Sequence, residues 1–336
     1  MTSGTQIRPV SDCPVCGADG VGLYERLTDQ LSGTPGTWRM VRCVEPACGL
    51  LWLDPAPDAD TLARAYAEYH THASAPRRPR PSRVLRRWLK EGHYSGRFGY
   101  PVRGRWPKRA LAQVLRLHPR LREDLDRLIM YLPPRTDGRV VDVGCGSGTT
   151  LAQLRDLGWR TEGVDSDPKA VAAASSRGLE VHLGSLPDRR YPDSSMDAVT
   201  MSHVIEHVPD PAGLLRECRR VLKPDGRLVV VTPNAASLGH SRYGAAWRGL
   251  EPPRHLQVFT GPSLRRAVET AGLRPVVLRT SAGGAAFYSA ESRRNLGEER
   301  ASRRDADARR FEREEQRRAR TDPWAGEELV LMASPR

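Results

Sequence analysis

The chain is poor in aromatic side chains, with 6% overall and only four phenylalanines in 336 residues, and it has no long apolar run. Stretches such as Leu228 to Val231 fall far short of the roughly 18 residues that a bilayer span requires. The N-terminus carries Asp12 and an early cysteine pair and lacks the apolar core of a secretory signal. A cytoplasmic protein without a transmembrane segment is expected. A hydrophobic content of 39% is still compatible with a packed core, and the length allows one large domain and one small one.

Acidic residues are scarce in one place above all. Between residues 77 and 109 there are twelve arginines and lysines against the single acid Glu91, which accounts for most of the net charge of +13. Trp88, Tyr94, Phe98, Tyr100 and Trp106 are interleaved with that charge. Such a stretch offers both charge and stacking surface to an anionic partner: a phosphate-bearing or carrier-linked small substrate, an acidic membrane surface, or RNA. A solvated arginine-rich segment is the plainer account. Pro76, Pro79 and Pro81 mark its start as a linker, so we divide the chain into residues 1–72, a basic linker at 73–110, and a large domain at 111–336.

Cysteine is also sparse, but four of the six are paired closely. Cys13 and Cys16 lie in Cys-Pro-Val-Cys-Gly, and Cys43 and Cys48 follow after 26 intervening residues. In a reducing compartment this spacing points to four thiolates around a structural zinc rather than to disulfides. Gly17 and Gly49 allow the turns that bring backbone N–H groups to the sulfurs. A tetrathiolate site is closed, so its expected role is folding and docking. Cys145 and Cys218 stand apart, Cys145 among the glycines at 144–148 and Cys218 on the helical stretch Leu214 to Leu222, where a small buried thiol is the plain explanation.

Residues 139–148, Arg-Val-Val-Asp-Val-Gly-Cys-Gly-Ser-Gly, run a short apolar strand into three glycines, and Asp165 ends the next apolar run. Gly144, Gly146 and Gly148 let the backbone turn tightly beside a ligand, and the following helix presents unpaired N–H groups to it. Asp165 has the spacing of a second-strand carboxylate that meets ribose hydroxyls. A dinucleotide fingerprint would need glycine at the sixth position, where this chain has Thr149.

Gly-x-Gly-x-Gly after Val-Asp-Val resembles the opening of the class I S-adenosylmethionine-dependent methyltransferases. The likeness continues through Gly163-Val-Asp165, the run from Met196 to Val208, Leu222-Lys-Pro-Asp-Gly-Arg-Leu228, Thr232-Pro-Asn234 and the run from Pro253 to Thr260. It is strongest to the branch of small-molecule and glycan-cluster methyltransferases with an N-terminal four-cysteine zinc segment, and the core is similar to ubiquinone-pathway O-methyltransferases. The resemblance implies an α/β, Rossmann-like sheet of seven strands with the last antiparallel, beside a small zinc-ribbon-like segment. Strands are expected near 139–143, 160–165, 179–183, 196–202, 226–232, 274–280 and 327–333. The polar stretch 285–325, rich in alternating arginines and acids, is expected to be an insertion, helical or disordered.

The resemblance implies S-adenosylmethionine contacts from Asp142, Gly144, Cys145, Gly146, Gly148, Asp165, Ser166, Ser185, Leu186, Ser202 and His203. Asp165 would bind ribose, Ser185 and Leu186 the adenine, and Asp142 or the Gly146 region the amino-acid portion. His203 is one candidate base for the acceptor hydroxyl and His255 the other. In Ser202-His203-Val-Ile-Glu206-His207, a helical turn would put His203, Glu206 and His207 on one face. The ubiquinone-pathway enzymes use Glu-x-x-Glu-His there to hold a metal, and this chain has His203 in the first place. Trp247, Arg254 and His255, in a proline-pinned loop after the fifth strand, would face the acceptor, Arg254 offering a fork to a carboxylate or phosphate. Three functions are compatible with these features. The leading one is methylation of a sugar or specialised metabolite at oxygen. The others are RNA methylation through the basic segment, and a non-catalytic protein that keeps the fold.

Overall fold

The computed structural model describes residues 12–67, 83–101 and 105–336. In chain order the strands are β1 (Gly20–Leu27), β2 (Trp38–Cys43), β3 (Leu51–Leu53), β4 (Arg139–Val143), β5 (Arg160–Asp165), β6 (Glu180–Leu183), β7 (Met196–Ser202), β8 (Leu222–Pro233), β9 (Gln257–Val258), β10 (Leu273–Ser281) and β11 (Glu328–Pro335). The helices are α1 (Ala59–Ala67), α2 (Arg83–Arg97), α3 (Arg105–Ala112), α4 (Pro119–Leu128), α5 (Thr149–Asp156), α6 (Pro168–Ser175), α7 (Pro211–Val221), α8 (Leu238–Tyr243), α9 (Gly261–Thr270), α10 (Ala285–Asn295) and α11 (Ala306–Arg318).

Seven strands form the main sheet in the order β10-β11-β8-β7-β4-β5-β6. The five from β4 to β8 run parallel, and β11 lies antiparallel between β8 and β10. The expected seven-stranded sheet with its last strand antiparallel is therefore present. Strand order reverses at β4, whose neighbours are β5 on one side and β7 on the other, and ligands bind in the crevice at such a point.

Alternation along the strands assigns the two faces. Val141, Val143, Val199, Met201, Leu228 and Val230 point into one core with Leu215 and Val221 of α7 and Leu264 and Val268 of α9. Val140, Ala198, Val229 and Val231 point the other way, onto Tyr94, Tyr100, Leu132 and Trp159. Two of the aromatics in the basic stretch, Tyr94 and Tyr100, are thus wholly buried. The Trp159 indole donates to Tyr100 Oη at 3.0 Å, and Tyr100 donates to the Leu132 carbonyl. The stacking surface expected there is reduced accordingly: these rings close the core, while Trp88 is exposed. Trp106 and the segment 68–82, also part of that expectation, lie outside the side chains or residues described.

The N-terminal strands build a second sheet in the order β1-β2-β3-β9, whose last member comes from the far end of the chain. Leu51 pairs with Val258 and Trp52 with Gln257. The cysteine-bearing segment consequently shares both a sheet and a core with the large domain, since Cys13, Cys43, Cys48 and Leu50 pack with Phe259 and Leu264. The stretch after β10 folds into α10 and α11, which bury Tyr288, Ala308 and Phe311. Its charged side chains leave the core to these few apolar positions and pair outward, Glu312 with Arg120, Glu314 with Arg242, and Arg293 with Glu298 and Asp305.

Candidate functional site

The glycine turn sits at the carboxyl edge of β4. Gly144, Gly146 and Gly148 have φ of 65°, 55° and 73°, in the left-handed region that a side chain rarely tolerates. A Cβ on Gly144 would collide with the Val204 side chain, so the backbone of the β4 turn lies directly against the side chain that follows β7. Asp165, at the end of β5, accepts the Gly146 N–H at 2.8 Å and the Asp167 N–H at 2.9 Å. This fixes the carboxylate beside the turn, as a donor-nucleoside cradle requires. Asp142 is buried and accepts the Thr200 hydroxyl at 2.6 Å. Burial pushes its carboxyl up to about 7, against the Thr200 hydrogen bond and with a contribution from Asp165.

The other predicted cofactor contacts are distributed unevenly. Ser166 and Ser185 are exposed, and Ser185 donates its hydroxyl and its N–H to Asp188 at 2.6 and 2.8 Å. Ser202 is half-buried at the end of β7. Cys145 and Leu186 point inward, Leu186 with no exposed surface, so neither offers its side chain to an open cleft. The neighbours of the Leu186 side chain are apolar core residues, which leaves its backbone for the expected adenine contact.

The β7 edge carries a chain of alternating charges. His203, at φ 57°, lies between two buried carboxylates, with Nδ1 3.2 Å from Glu206 and Nε2 3.0 Å from Glu328. Arg127 of α4 contacts Glu328 at 2.5 Å and His203 at 2.8 Å. Burial disfavours the His203 charge, but the two carboxylates outweigh it and raise the imidazole to about 9. The same contacts bring Glu206 and Glu328 down to about 2 against their desolvation. With Nδ1 facing Glu206 and Nε2 facing both Glu328 and Arg127, neither ring nitrogen is left for an acceptor hydroxyl, and this geometry argues against His203 as the base. Arg127 and Glu328 were missed in the sequence, being 76 and 125 residues from His203.

Beyond Glu206 the chain makes a 3₁₀ turn over Ile205–His207, and His207 turns away from His203 toward His255, with ring centroids 4.7 Å apart. One ligand atom each from Glu206, His207 and His255 lies within 4.8 Å of the others. The group that could hold a cation therefore contains His255 where the sequence suggested His203. His255 is buried, with Nδ1 2.8 Å from the Gly249 carbonyl, and burial, opposed by Glu251, lowers it to about 4.

The predicted acceptor contacts Trp247 and Arg254 are corrected by their surroundings. Trp247 is buried, donates its indole N–H to Glu327 at 2.8 Å and stacks on Tyr288. Arg254 is fully buried. It donates to Asp29 Oδ2 at 2.9 Å and Oδ1 at 2.7 Å, to Glu251 at 2.9 Å and to Ser32 at 2.8 Å. Its fork is committed to the protein and serves no anionic acceptor. A cavity of about 250 Å³ does border this region, between Arg26–Leu31 and the loop 245–254. It is not formed over the glycine turn.

The four N-terminal cysteines converge. Cys13 and Cys48 sulfurs are 3.7 Å apart, Cys16 and Cys43 3.4 Å, and all four lie within 4.8 Å of one another. Gly17 and Gly49 have φ of 73° and 63°, the left-handed turns that let Cys13 and Glu45 carbonyls accept their N–H groups. Thr260, which caps α9 in a reciprocal box with Ser263, also donates its hydroxyl to the Cys48 carbonyl.

Residues 117–278 match the family model described as a methyltransferase domain. Over 114 residues the chain is 38% identical to a ubiquinone biosynthesis O-methyltransferase of Xanthomonas oryzae, covering 31% of this chain and 48% of that one. Over 144 residues it is 34% identical to a probable S-adenosylmethionine-dependent methyltransferase of Mycolicibacterium smegmatis, covering 42% and 54%. The chain thus spans about half the length of the curated relatives it matches. A solved S-adenosylmethionine-dependent methyltransferase from Mesorhizobium loti superimposes with a TM-score of 0.45 at 19% identity, covering 63% of this chain and 97% of that one. The glycine turn, the Asp165 carboxylate and the parallel strands β4 to β8 all lie within residues 117–278, the stretch that matches the methyltransferase-domain model.

Proposed function

We propose that the protein methylates a hydroxyl of a small-molecule acceptor, a sugar or specialised metabolite, with histidine-assisted deprotonation. The observation that carries this reading is the juxtaposition of the Gly144–Gly148 turn, touching Val204, with the Glu206, His207 and His255 group that begins two residues later. Bound S-adenosylmethionine supplies an activated methyl on a sulfonium. The protein's own work is to hold that donor, align the acceptor and take its proton. Asp165 and the glycine turn would hold the nucleoside, and Asp142, Ser202 and the neighbouring backbone the amino-acid end. The acceptor would enter along the β7 and β8 edge, where His207 and Tyr66 are accessible.

The four cysteines support a structural zinc. Tetrahedral coordination with bonds of about 2.3 Å sets sulfurs roughly 3.8 Å apart, close to the spacings here. Such an ion would stabilise the fold around β2, β3 and β9. An RNA acceptor is less well supported, because Tyr94 and Tyr100 are core residues. No described helix is long and apolar enough to cross a membrane.

The test is to incubate the purified protein with methyl-labelled S-adenosylmethionine and fractionated cell extract and identify what gains mass. Label entering a low-molecular-weight fraction supports the reading. Label confined to RNA, or no donor binding by calorimetry, refutes it.

A further inference from the structure

The three histidines at the site are not equivalent. His203 is pinned between Glu206 and Glu328, and His255 is buried beneath the loop that covers it. His207 is half-exposed, and its Nδ1 faces two oxygens, the Arg254 carbonyl at 3.0 Å and Tyr66 Oη at 2.9 Å. A carbonyl can only accept, so the Arg254 contact places the proton on Nδ1 and leaves the Nε2 lone pair available. Tyr66 belongs to α1, in the N-terminal segment, 141 residues away, and meets His207 edge-on with ring centroids 6.1 Å apart.

Glu206 is the only carboxylate of the trio: its Oε2 accepts from Thr232 at 2.9 Å, while Oε1, 3.2 Å from His203 Nδ1, is buried without a hydrogen bond, so the experiment below separates a free base from a cation ligand.

We infer that His207 takes the proton of the acceptor hydroxyl and that Tyr66, supplied by the N-terminal segment, is the positioning residue that holds its ring; this rests on the O-methylation reading above. As the acceptor oxygen forms its bond to the methyl carbon, the carbon–sulfur bond breaks and its electron pair stays on sulfur. The O–H proton passes to His207 Nε2, giving an imidazolium whose Nδ1–H remains on the Arg254 carbonyl and Tyr66, and leaves to water once the methyl ether departs. The cysteine-bearing segment then contributes directly to the acceptor side, which explains why α1 is carried to the β7 edge.

The experiment compares wild type, His207→Gln and Tyr66→Phe in transferring label into whichever extract fraction the wild type labels, with donor affinity measured by calorimetry on each. For His207→Gln a loss of about 100-fold or more is expected, the range of general-base catalysis, with donor affinity unchanged. Tyr66→Phe should lower the rate by less and also keep the donor. Nitrogen-15 spectra of the wild-type ring should show the Nδ1–H tautomer, and Tyr66→Phe should perturb that resonance.

Full activity in His207→Gln, an Nε2–H tautomer, or a ring signal indifferent to Tyr66→Phe would each overturn the inference. So would wild-type transfer abolished by a chelator and restored by magnesium alone, which would make His207 a ligand. If His207→Gln loses the donor through misfolding, the wild-type tautomer decides. A wild type that fails to bind S-adenosylmethionine would instead refute the underlying methyltransferase reading.

Discussion

Arg254 and Asp29 form a fully buried two-point ion pair, with nitrogen-to-oxygen distances of 2.7 and 2.9 Å, between residues 225 positions apart. It ties the turn after β1 to the loop that carries His255. Asp29 also accepts from Leu31, Ser32 and Thr34, so its carboxylate is satisfied from both sides.

Replacing Asp29 by Asn should therefore destabilise the protein by about 3 kcal/mol, because the buried guanidinium loses its two-point carboxylate partner and keeps the single Glu251 carboxylate contact. Urea unfolding followed by tryptophan fluorescence would measure it. Burial works against the Asp29 charge, but Arg254, Ser32 and Thr34 together hold the carboxyl far below its ordinary value. The stabilisation is consequently full above about pH 4 and is lost as pH falls further. A mutant unfolding curve that matches wild type at pH 7 would contradict this.

His203 predicts the opposite pH dependence. Its folded value, about 9, lies above the ordinary imidazole value near 6.5, so the charge network contributes fully below about pH 6.5 and fades as pH rises through 9. Wild-type stability should decline by about 1–3 kcal/mol across that window, after allowing for the partial exposure of the ring. In Glu328→Gln the decline should flatten, and denaturant midpoints from pH 6 to 10 would show it.

Gly144→Ala should cripple donor binding while leaving the chain folded. The left-handed φ of 65° costs a side chain roughly 1–2 kcal/mol, and the new Cβ would push on Val204. A loss in S-adenosylmethionine affinity of about tenfold or more is expected by calorimetry, since 1.4 kcal/mol corresponds to a factor of ten.

One zinc per chain is expected by metal analysis, abolished by Cys16→Ser. Because β3 pairs with β9 and Thr260 caps α9 on the Cys48 carbonyl, the loss should be felt first at the 251–260 loop. Hydrogen exchange at Gln257 and Val258 should rise sharply, while that of β4 and β5 changes little. Equal loosening of both regions would show that the metal supports the whole fold.

Much of the sheet was legible because its signals are local. Each parallel strand is a short apolar run closed by a turn, and the run from Val141 to Gly148 needs only its own residues to become strand and glycine turn. The insertion was less legible: an arginine-rich stretch with few apolar side chains reads as solvated, yet Phe311 and Ala308 suffice to dock α11 once Tyr243 is beside them. Tyr94 and Tyr100 misled in the opposite direction, since surrounding charge suggested a surface and the buried face of the segment is set by packing against Trp159 and Leu132.

The sequence by itself determined the seven strands of the main sheet, the glycine turn with its Asp165 carboxylate and the four-cysteine cluster, because strand periodicity, left-handed turns and ligand spacing act over short stretches of chain. Only the tertiary structure decided which polar side chains remain available for chemistry. Arg254 was withdrawn by Asp29, His203 was engaged by Glu328, and His207 was joined by Tyr66, across separations of 225, 125 and 141 residues. A titratable group takes its protonation and its role from whatever burial places within a few ångströms, and that neighbourhood is written in the fold rather than in the adjoining residues.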